Sequence, residues 1–507
     1  LYSAKIETQQ FSISQREIKL VYAAMMAAVG LSSLNGSTVS TALTTIVSDL
    51  GGIKAYTWVS TSYLLTSTAA TPLFGKFSDL YGRKTFTQLA IGIFLVGSLM
   101  CSLAPTMGML VLARAVQGIG SGGVMAMSFV VIADIVPPRE RGRYVGAFTS
   151  IFALSSVAGP LIGGLIVDHT TWRWIFIVNL PFGVFALWMT QRHLRLPVMR
   201  RDTSIDGLGA VLLVAGVATL ILGLSWSPGQ YGWVSAQTLG MLAVSVAALL
   251  ALLVWEPRST NPILPVHLFR NHTVQTMVPM VTLISAAMTT VSSFMPLFLQ
   301  AVTGVSPTNS GLLLVPMMFG MTFASQFVGR RVTVTGHYRV WPIVGAALGT
   351  AGMIMVSFVT NSGFRIGVSL VGMALMGFCV GGTMPTSTTA IQNSVEVRDL
   401  GVASSLSQLC RNLGSTIALA SYGAVLNSQL QGRVDPSLLR APRHINDLPE
   451  PGRTQAIEAV SHGITTVFRF AVPMLIVALW LTTRVKELPL RQHAAFEDDS
   501  MKAEPAG

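Results

Sequence analysis

Charge is what this sequence has least of. Lys, Arg, Asp and Glu together make up 11% of the chain, where a soluble domain carries about 25%. With 51% hydrophobic residues, there is too little polar side chain to cover a water-soluble globule, and the class is a polytopic membrane protein. Cysteine is equally sparse. Cys101, Cys379 and Cys410 lie far apart in apolar segments, which excludes a disulfide framework or a zinc cluster and leaves small buried hydrophobes. No Walker loop, HExxH or GxSxG occurs, so neither ATP-driven work nor the common hydrolytic chemistries are expected, no cofactor is expected, and the chain is not read as an enzyme. Residues 1–17 lack the cationic-then-apolar pattern of a cleavable signal, and insertion is expected to rest on the first span.

What is present is apolar length. A bilayer core of about 30 Å needs about 20 apolar residues per helix. Such stretches fall at 18–47, 55–75, 86–104, 107–135, 144–167, 172–191, 206–226, 236–256, 273–303, 307–329, 338–359, 365–391, 400–427 and 462–484. Most of the 33 Lys and Arg residues, including Lys76, Arg83, Arg139, Arg141, Arg143, Arg330 and Arg331, then fall on one side. The positive-inside rule makes that side, with both termini, cytoplasmic. The net charge of +12 is thereby a topology signal, and no nucleic-acid partner is called for.

An internal repeat organises the spans. "GKFSDLYGRK" (Gly75 to Lys84) has an echo in "GRRVTVTGHYR" (Gly329 to Arg339). "QGIGSGG" (Gly118, Gly122, Gly123) matches "MGFCVGG" (Gly377, Gly381, Gly382), and Gly146 to Gly159 matches Gly401 to Gly414, all at nearly the same offset. Two parallel six-helix halves follow, a transporter architecture with its substrate site between them. The expected division is 1–192, two inserted helices in 193–260, and 261–507 with a long outer loop at 428–461 and a tail on the basic side. The arginines of that loop, Arg433, Arg440, Arg443 and Arg453, present a solvated surface or a partner dock.

These residues carry a family resemblance over essentially the whole chain. "GKFSDLYGRKT" resembles the loop between helices two and three of the major facilitator superfamily, and "RAVQG" (Arg114 to Gly118) its fourth-helix motif. "GPLIGG" (Gly159 to Gly164) is similar to the antiporter signature of the drug exporters, and "WRWIFIVNLPFG" (Trp172 to Gly183) to the sixth helix of their fourteen-helix drug:proton branch. The resemblance implies an all-α membrane protein of the major facilitator fold. It also implies efflux of small hydrophobic or amphipathic compounds by alternating access, protons as the counter-substrate, and a bacterial cell membrane. A monomer is expected. A lipid or metabolite transporter of the same fold, and a transport-inactive receptor or scaffold, are the competing readings.

Asp79, Arg83, Asp134 and Arg141 can form a charge lock at the cytoplasmic end; Thr333 takes the place of Asp79 in the second half. Pro160, with Gly159, Gly163 and Gly164, suits a gating bend, the alternative being tight packing alone. Arg114, Arg411 and Arg469 lie inside spans, where a charge costs at least about 2.5 kcal/mol. They are read as cavity or coupling charges, with snorkelling as the alternative for Arg114 and Arg469. No carboxylate lies deep in any span. The fourteen-helix exporters resemble L-D-x-T-x-V-x-x-A-L in the first helix; Leu34, Val39, Ala42 and Leu43 keep that pattern, but Asn35 stands at the acid's position. Asn35 is a neutral mimic of the protonated acid, which alters or disables proton antiport, or it hydrogen-bonds substrate or a neighbouring helix. The expected cavity is apolar, with Met25, Met26, Phe294, Met317, Met318, Phe319 and Phe323 available to it or facing lipid or core instead, and anionic or neutral amphiphiles suit it better than dications.

Overall fold

The computed structural model describes residues 15–51, 55–194, 206–226, 231–305, 307–359, 363–431, 445 and 448–490. Arg433, Arg440, Arg443 and the tail 491–507 lie outside the described residues. A chain that spans lipid must satisfy its backbone internally, and helices do so along their whole length. Among the described residues fourteen long helices cross the bundle. The first six are α1 (Gln15–Leu50), α2 (Tyr56–Tyr81), α3 (Arg83–Ser102), α4 (Met107–Ile135), α5 (Pro138–His169) and α6 (Trp174–His193). Next come α7 (Gly207–Trp226) and α8 (Ala236–Trp255). The last six are α9 (His272–Thr303), α10 (Val315–Thr335), α11 (Val340–Ser357), α12 (Gly363–Ser394), α13 (Leu400–Leu430) and α14 (Gly452–Thr483).

Helices α1–α6 and α9–α14 form two bundles, and the paired α7 and α8 join them beside α2 and α13. Glycines set the closest contacts, because without a hydrophobic drive between helices in lipid, association rests on backbone approach. Gly118 and Gly122 of α4 abut Tyr63 and Ser67 of α2, and Gly377 and Gly381 of α12 abut Met317 and Met321 of α10. The sequence repeat is therefore a repeat of packing. Asp206 caps α7, accepting from the Gly209 amide at 2.8 Å and from Trp255 Nε1 at 2.9 Å, which pins the inserted pair. Burial pushes this carboxyl up, but those hydrogen bonds and one from Ser259 outweigh it and hold it below the usual range.

Several boundaries differ from expectation. Helix α2 runs on to Tyr81 and α3 starts at Arg83, so the expected loop around Asp79 is a helical corner whose sole break is Gly82. Gly82 has φ of 100°, a conformation only glycine adopts without strain. The outer loop is shorter than 428–461, because α13 continues to Leu430 and α14 begins at Gly452. By hydropathy alone twelve described helices qualify as spans; α2 and α13 fall short, being cut by Ser, Thr, Gln and Asn. That polarity marks the two helices which face each other across the interior.

Candidate functional site

The bundles meet at the end that carries the basic loops. There α2 crosses α13 at Gly75 and Gly401: a methyl on Gly401 would lie 2.6 Å from the Gly75 carbonyl oxygen. Across the second seam, a methyl on Gly329 of α10 would lie 2.6 Å from the Gly142 carbonyl oxygen of α5. One turn further, Ser325 donates to the Gly146 carbonyl at 2.7 Å, and Gln326 donates to Ser150 at 3.2 Å. In the repeat, Gly75 corresponds to Gly329 and Gly146 to Gly401, so the two seams use corresponding helices, but the second is shifted by one turn: Gly329 meets Gly142, and Gly146 meets Ser325.

Charges sit beside both seams. Arg83 pairs with Asp79 and, through Nε at 2.7 Å, with Asp134, both carboxylates being about nine-tenths buried. The Asp79 carboxylate also faces the first turn of α13, where a side chain on Gly401 would strike it. Unpaired amides and the helix dipole favour an anion at that position. Arg141 sits elsewhere than expected: its Nε donates to the Val136 carbonyl at 2.8 Å and its other end to the Ala133 carbonyl, so it ties the corner between α4 and α5. The last carbonyls of α4 are unpaired by the helix end and attract a cation more directly than a carboxylate already held by Arg83. Arg139, which opens the basic cluster that runs to Arg143, spans the second seam and donates to the Thr333 and Val334 carbonyls at 3.0 and 3.1 Å. It closes the side where Thr333 replaces an acid. Replacing Arg83 by Ala leaves two buried carboxylates without their cation and is expected to destabilise the protein by about 3–5 kcal/mol, read by unfolding of the purified protein.

Beyond the seams, toward the opposite end, lies a cavity of about 570 Å³ between the bundles, lined by Ser60 and Thr61 of α2, Thr289 of α9, and Asn412 and Thr416 of α13, among others. A deeper cavity of about 290 Å³ shares Leu64 and Asn412 with it and reaches Ser32, Tyr63, Ser121 and Gln408. Hydroxyls and amides share these walls with Leu43, Leu64, Leu224 and Leu419, so scattered hydrogen-bonding groups sit on a largely apolar surface, as expected of the cavity. Met25, Phe294 and Met317 are packed inside their bundles, and Phe319 and Phe323 face outward from α10. Leu224 and Ser225 of α7 line the larger cavity, so the inserted helices contribute to its wall. The sequence signal that locates the chamber is the interruption of apolar runs in α2 and α13 by hydroxyl residues.

The deep polar centre lies inside the first bundle. Arg114 of α4 is 2% exposed. Its Nη1 donates to Asn35 Oδ1 and Gln117 Oε1, its Nε donates to the Val59 carbonyl at 3.3 Å, and its guanidinium lies 4.1 Å from the centre of the Tyr63 ring. Asn35 faces protein, buried at 2%. The Tyr63 hydroxyl donates to Ser121 at 2.6 Å in the deeper cavity, so this ring separates Arg114 from the chamber. Tyr63 and Gln117 were missed by sequence reasoning; Gln117 stands one turn along α4 from Arg114.

The other two span arginines part company. Arg411 of α13 pairs with Gln408 on its own helix and reaches across the interface to Phe129 of α4, 5.7 Å from the ring centre. Gln408 in turn donates to Asn412 at 3.1 Å, so Arg411 polarises two chamber-lining amides. Arg469 lies outside the chamber, exposed on the flank of the second bundle beside Phe358 at 5.7 Å. Its reading as a cavity charge is corrected: it reaches outward, as a long side chain with a polar tip does. In α5, Gly159 and Gly163 face Ser37, Thr38 and Thr41 of α1, and Ser37 donates to the Ser155 carbonyl at 3.0 Å. Pro160 lies on the exposed side, and Gly164 has open space around it. Gly159→Val is expected to cost about 1–3 kcal/mol by overpacking and to slow transport, while Gly164→Ala changes neither; unfolding and flux assays read both.

Two helical bundles closed against each other at one end, with a chamber between them toward the other, define an alternating-access membrane transporter. The profile of the Major Facilitator Superfamily matches residues 25–419, and the chain belongs to that family. Multidrug transporter protein MdtP of Bacillus subtilis (strain 168) is 35% identical over 82% of this chain and 76% of its own length. Efflux pump FUS6 of Gibberella moniliformis (strain M3125 / FGSC 7600) is 32% identical over 94% of this chain and 89% of its own. The fold matches the crystal structure of the human organic anion transporter MFSD10 (TETRAN) at a TM-score of 0.65, with 13% identity over 92% of this chain and all of that one. The protein is thus a multi-pass membrane transporter and not an enzyme.

Proposed function

We propose that this chain is a secondary active efflux transporter that carries small hydrophobic or amphipathic compounds out of the cytoplasm as a monomer in the cell membrane. The basic end and both termini face the cytoplasm on this reading, as the positive-inside rule directs. Sealed seams at that end then correspond to a state open toward the outside. The reading rests on one observation: glycine-tight contacts close the bundles at Gly75 with Gly401 and at Gly142 with Gly329, while the chamber lies beyond them. The Arg83 pairs and Arg139 hold that state, and the glycine face of α5 carries motion to α1, the helix that bears Asn35. The amide of Asn35 reproduces the shape and neutrality of a protonated aspartate beside Arg114. Proton exchange at this position is therefore disabled, since neither amide nor guanidinium titrates near neutral pH.

Substrate counterflow in reconstituted vesicles tests transport without requiring any ion gradient. Vesicles preloaded with an unlabelled amphipathic dye are expected to take up labelled dye transiently, well above protein-free vesicles. Movement of phospholipid without dye exchange would favour the lipid transporter, and no movement of either would favour the scaffold.

A further inference from the structure

Every buried arginine poses the question of its counter-charge. At the basic end Arg83 has the carboxylates of Asp79 and Asp134, and Arg141 is held by the Val136 and Ala133 carbonyls at the end of a helix. At Arg114 the partners are neutral throughout: the Asn35 and Gln117 amide oxygens, the Val59 carbonyl and the Tyr63 ring face. Among the described residues no carboxylate forms an ion pair or hydrogen bond with it. Neutral dipoles offset part of the cost of burying a cation, but not the charge itself.

A second observation lies beside it. Asn35 Nδ2 is buried and has no hydrogen-bond partner among the described residues. The amide cannot flip to find one, because its oxygen is fixed on Arg114 and the flipped form would set N–H against N–H. A permanent cation and an unused N–H donor therefore stand together. Behind the Tyr63 ring lies the deeper cavity, with Ser32 and Ser121 on its wall, and Ser33 Oγ there also lacks a partner.

We propose that Arg114 and Asn35 Nδ2 form a binding site for a monovalent anion, reached from the deeper cavity when the Tyr63 ring moves aside. The anion is either inorganic chloride or the carboxylate or sulfonate head of an anionic amphiphile. It does by binding what an aspartate at position 35 would do covalently. The inference extends the transporter reading by assigning a charge to what binds; a binding measurement decides it even if the efflux reading fails.

The test is thermal unfolding of the purified full chain at constant ionic strength in chloride, in gluconate, and in gluconate with benzenesulfonate or its uncharged counterpart benzenesulfonamide. A chloride site raises the midpoint by about 2 °C over gluconate at tenfold saturation. A head-group site gives that rise with benzenesulfonate, none with benzenesulfonamide and none with chloride. In Asn35→Asp the built-in carboxylate abolishes the rise in whichever arm shows it. Asn35→Ala keeps the cation, removes one donor and is expected to weaken anion affinity about tenfold. No rise with either anion, an equal rise in Asn35→Asp, or unchanged affinity in Asn35→Ala each overturns the site.

Discussion

Asn35→Asp is expected to make transport follow a pH gradient that the parent protein ignores. The side chain is 2% exposed and its oxygen already accepts from Arg114, so an aspartate fits the same volume and gains an ion pair when ionised. Because the pair is buried, each proton taken up or lost changes the local energy far more than it would in water. A carboxylate that is paired in one access state and protonated in the other couples the two movements. A gradient of two pH units supplies about 2.7 kcal/mol per proton, enough to hold about a 100-fold substrate ratio at one proton per molecule. The measurement is dye accumulation in proteoliposomes with an imposed gradient, parent and variant side by side. A parent protein as responsive as the variant would show that position 35 is not where coupling resides.

Gly401→Val is expected to abolish the sealed state and with it more than about nine-tenths of transport. A Cβ there would meet the Gly75 carbonyl oxygen at 2.6 Å and the Asp79 carboxylate. The first of these is backbone and has no rotamer through which to yield. Overpacking of this kind costs about 1–3 kcal/mol even where neighbours adapt, and that moves a two-state equilibrium by roughly 5- to 150-fold. Spin labels placed on the basic ends of α2 and α13 should report a longer mean distance in the variant. Gly423→Val, on the same helix but with nothing within 4 Å of its Cβ, serves as the control and should leave distance and flux unchanged. Equal behaviour of the two variants would mean that the α2–α13 crossing does not set the conformation.

Much of the fold was legible because lipid makes simple demands. Apolar runs set the helices, and the glycine repeat relating Gly75 to Gly329 and Gly146 to Gly401 set the two halves. The least legible elements were helix ends and lateral directions. The Asp79 segment reads as a loop because its residues are polar, yet it is helical, since α2 extends past the apolar zone before Gly82 turns the chain. Arg411 and Arg469 both lie within spans, but one reaches Phe129 across the interface and the other faces outward beside Phe358. Periodicity gives each a face of its helix without saying what lies opposite. The chamber's lining was hidden for the same reason: Met25 and Met317 are packed in the bundles, while serine and threonine, unremarkable singly, line the chamber.

By itself the sequence determined that the chain spans a membrane many times, that its halves repeat, and that position 35 holds an amide where an acid is expected, because composition, spacing and chemical identity are properties of residues taken one at a time. Only the tertiary structure decided that glycines of repeat-related helices meet across two seams, that Arg139 closes the side lacking an acid, and that Asn35, Gln117 and Tyr63 converge on Arg114. Those are relations between helices distant in the chain, and they are fixed by which faces pack together.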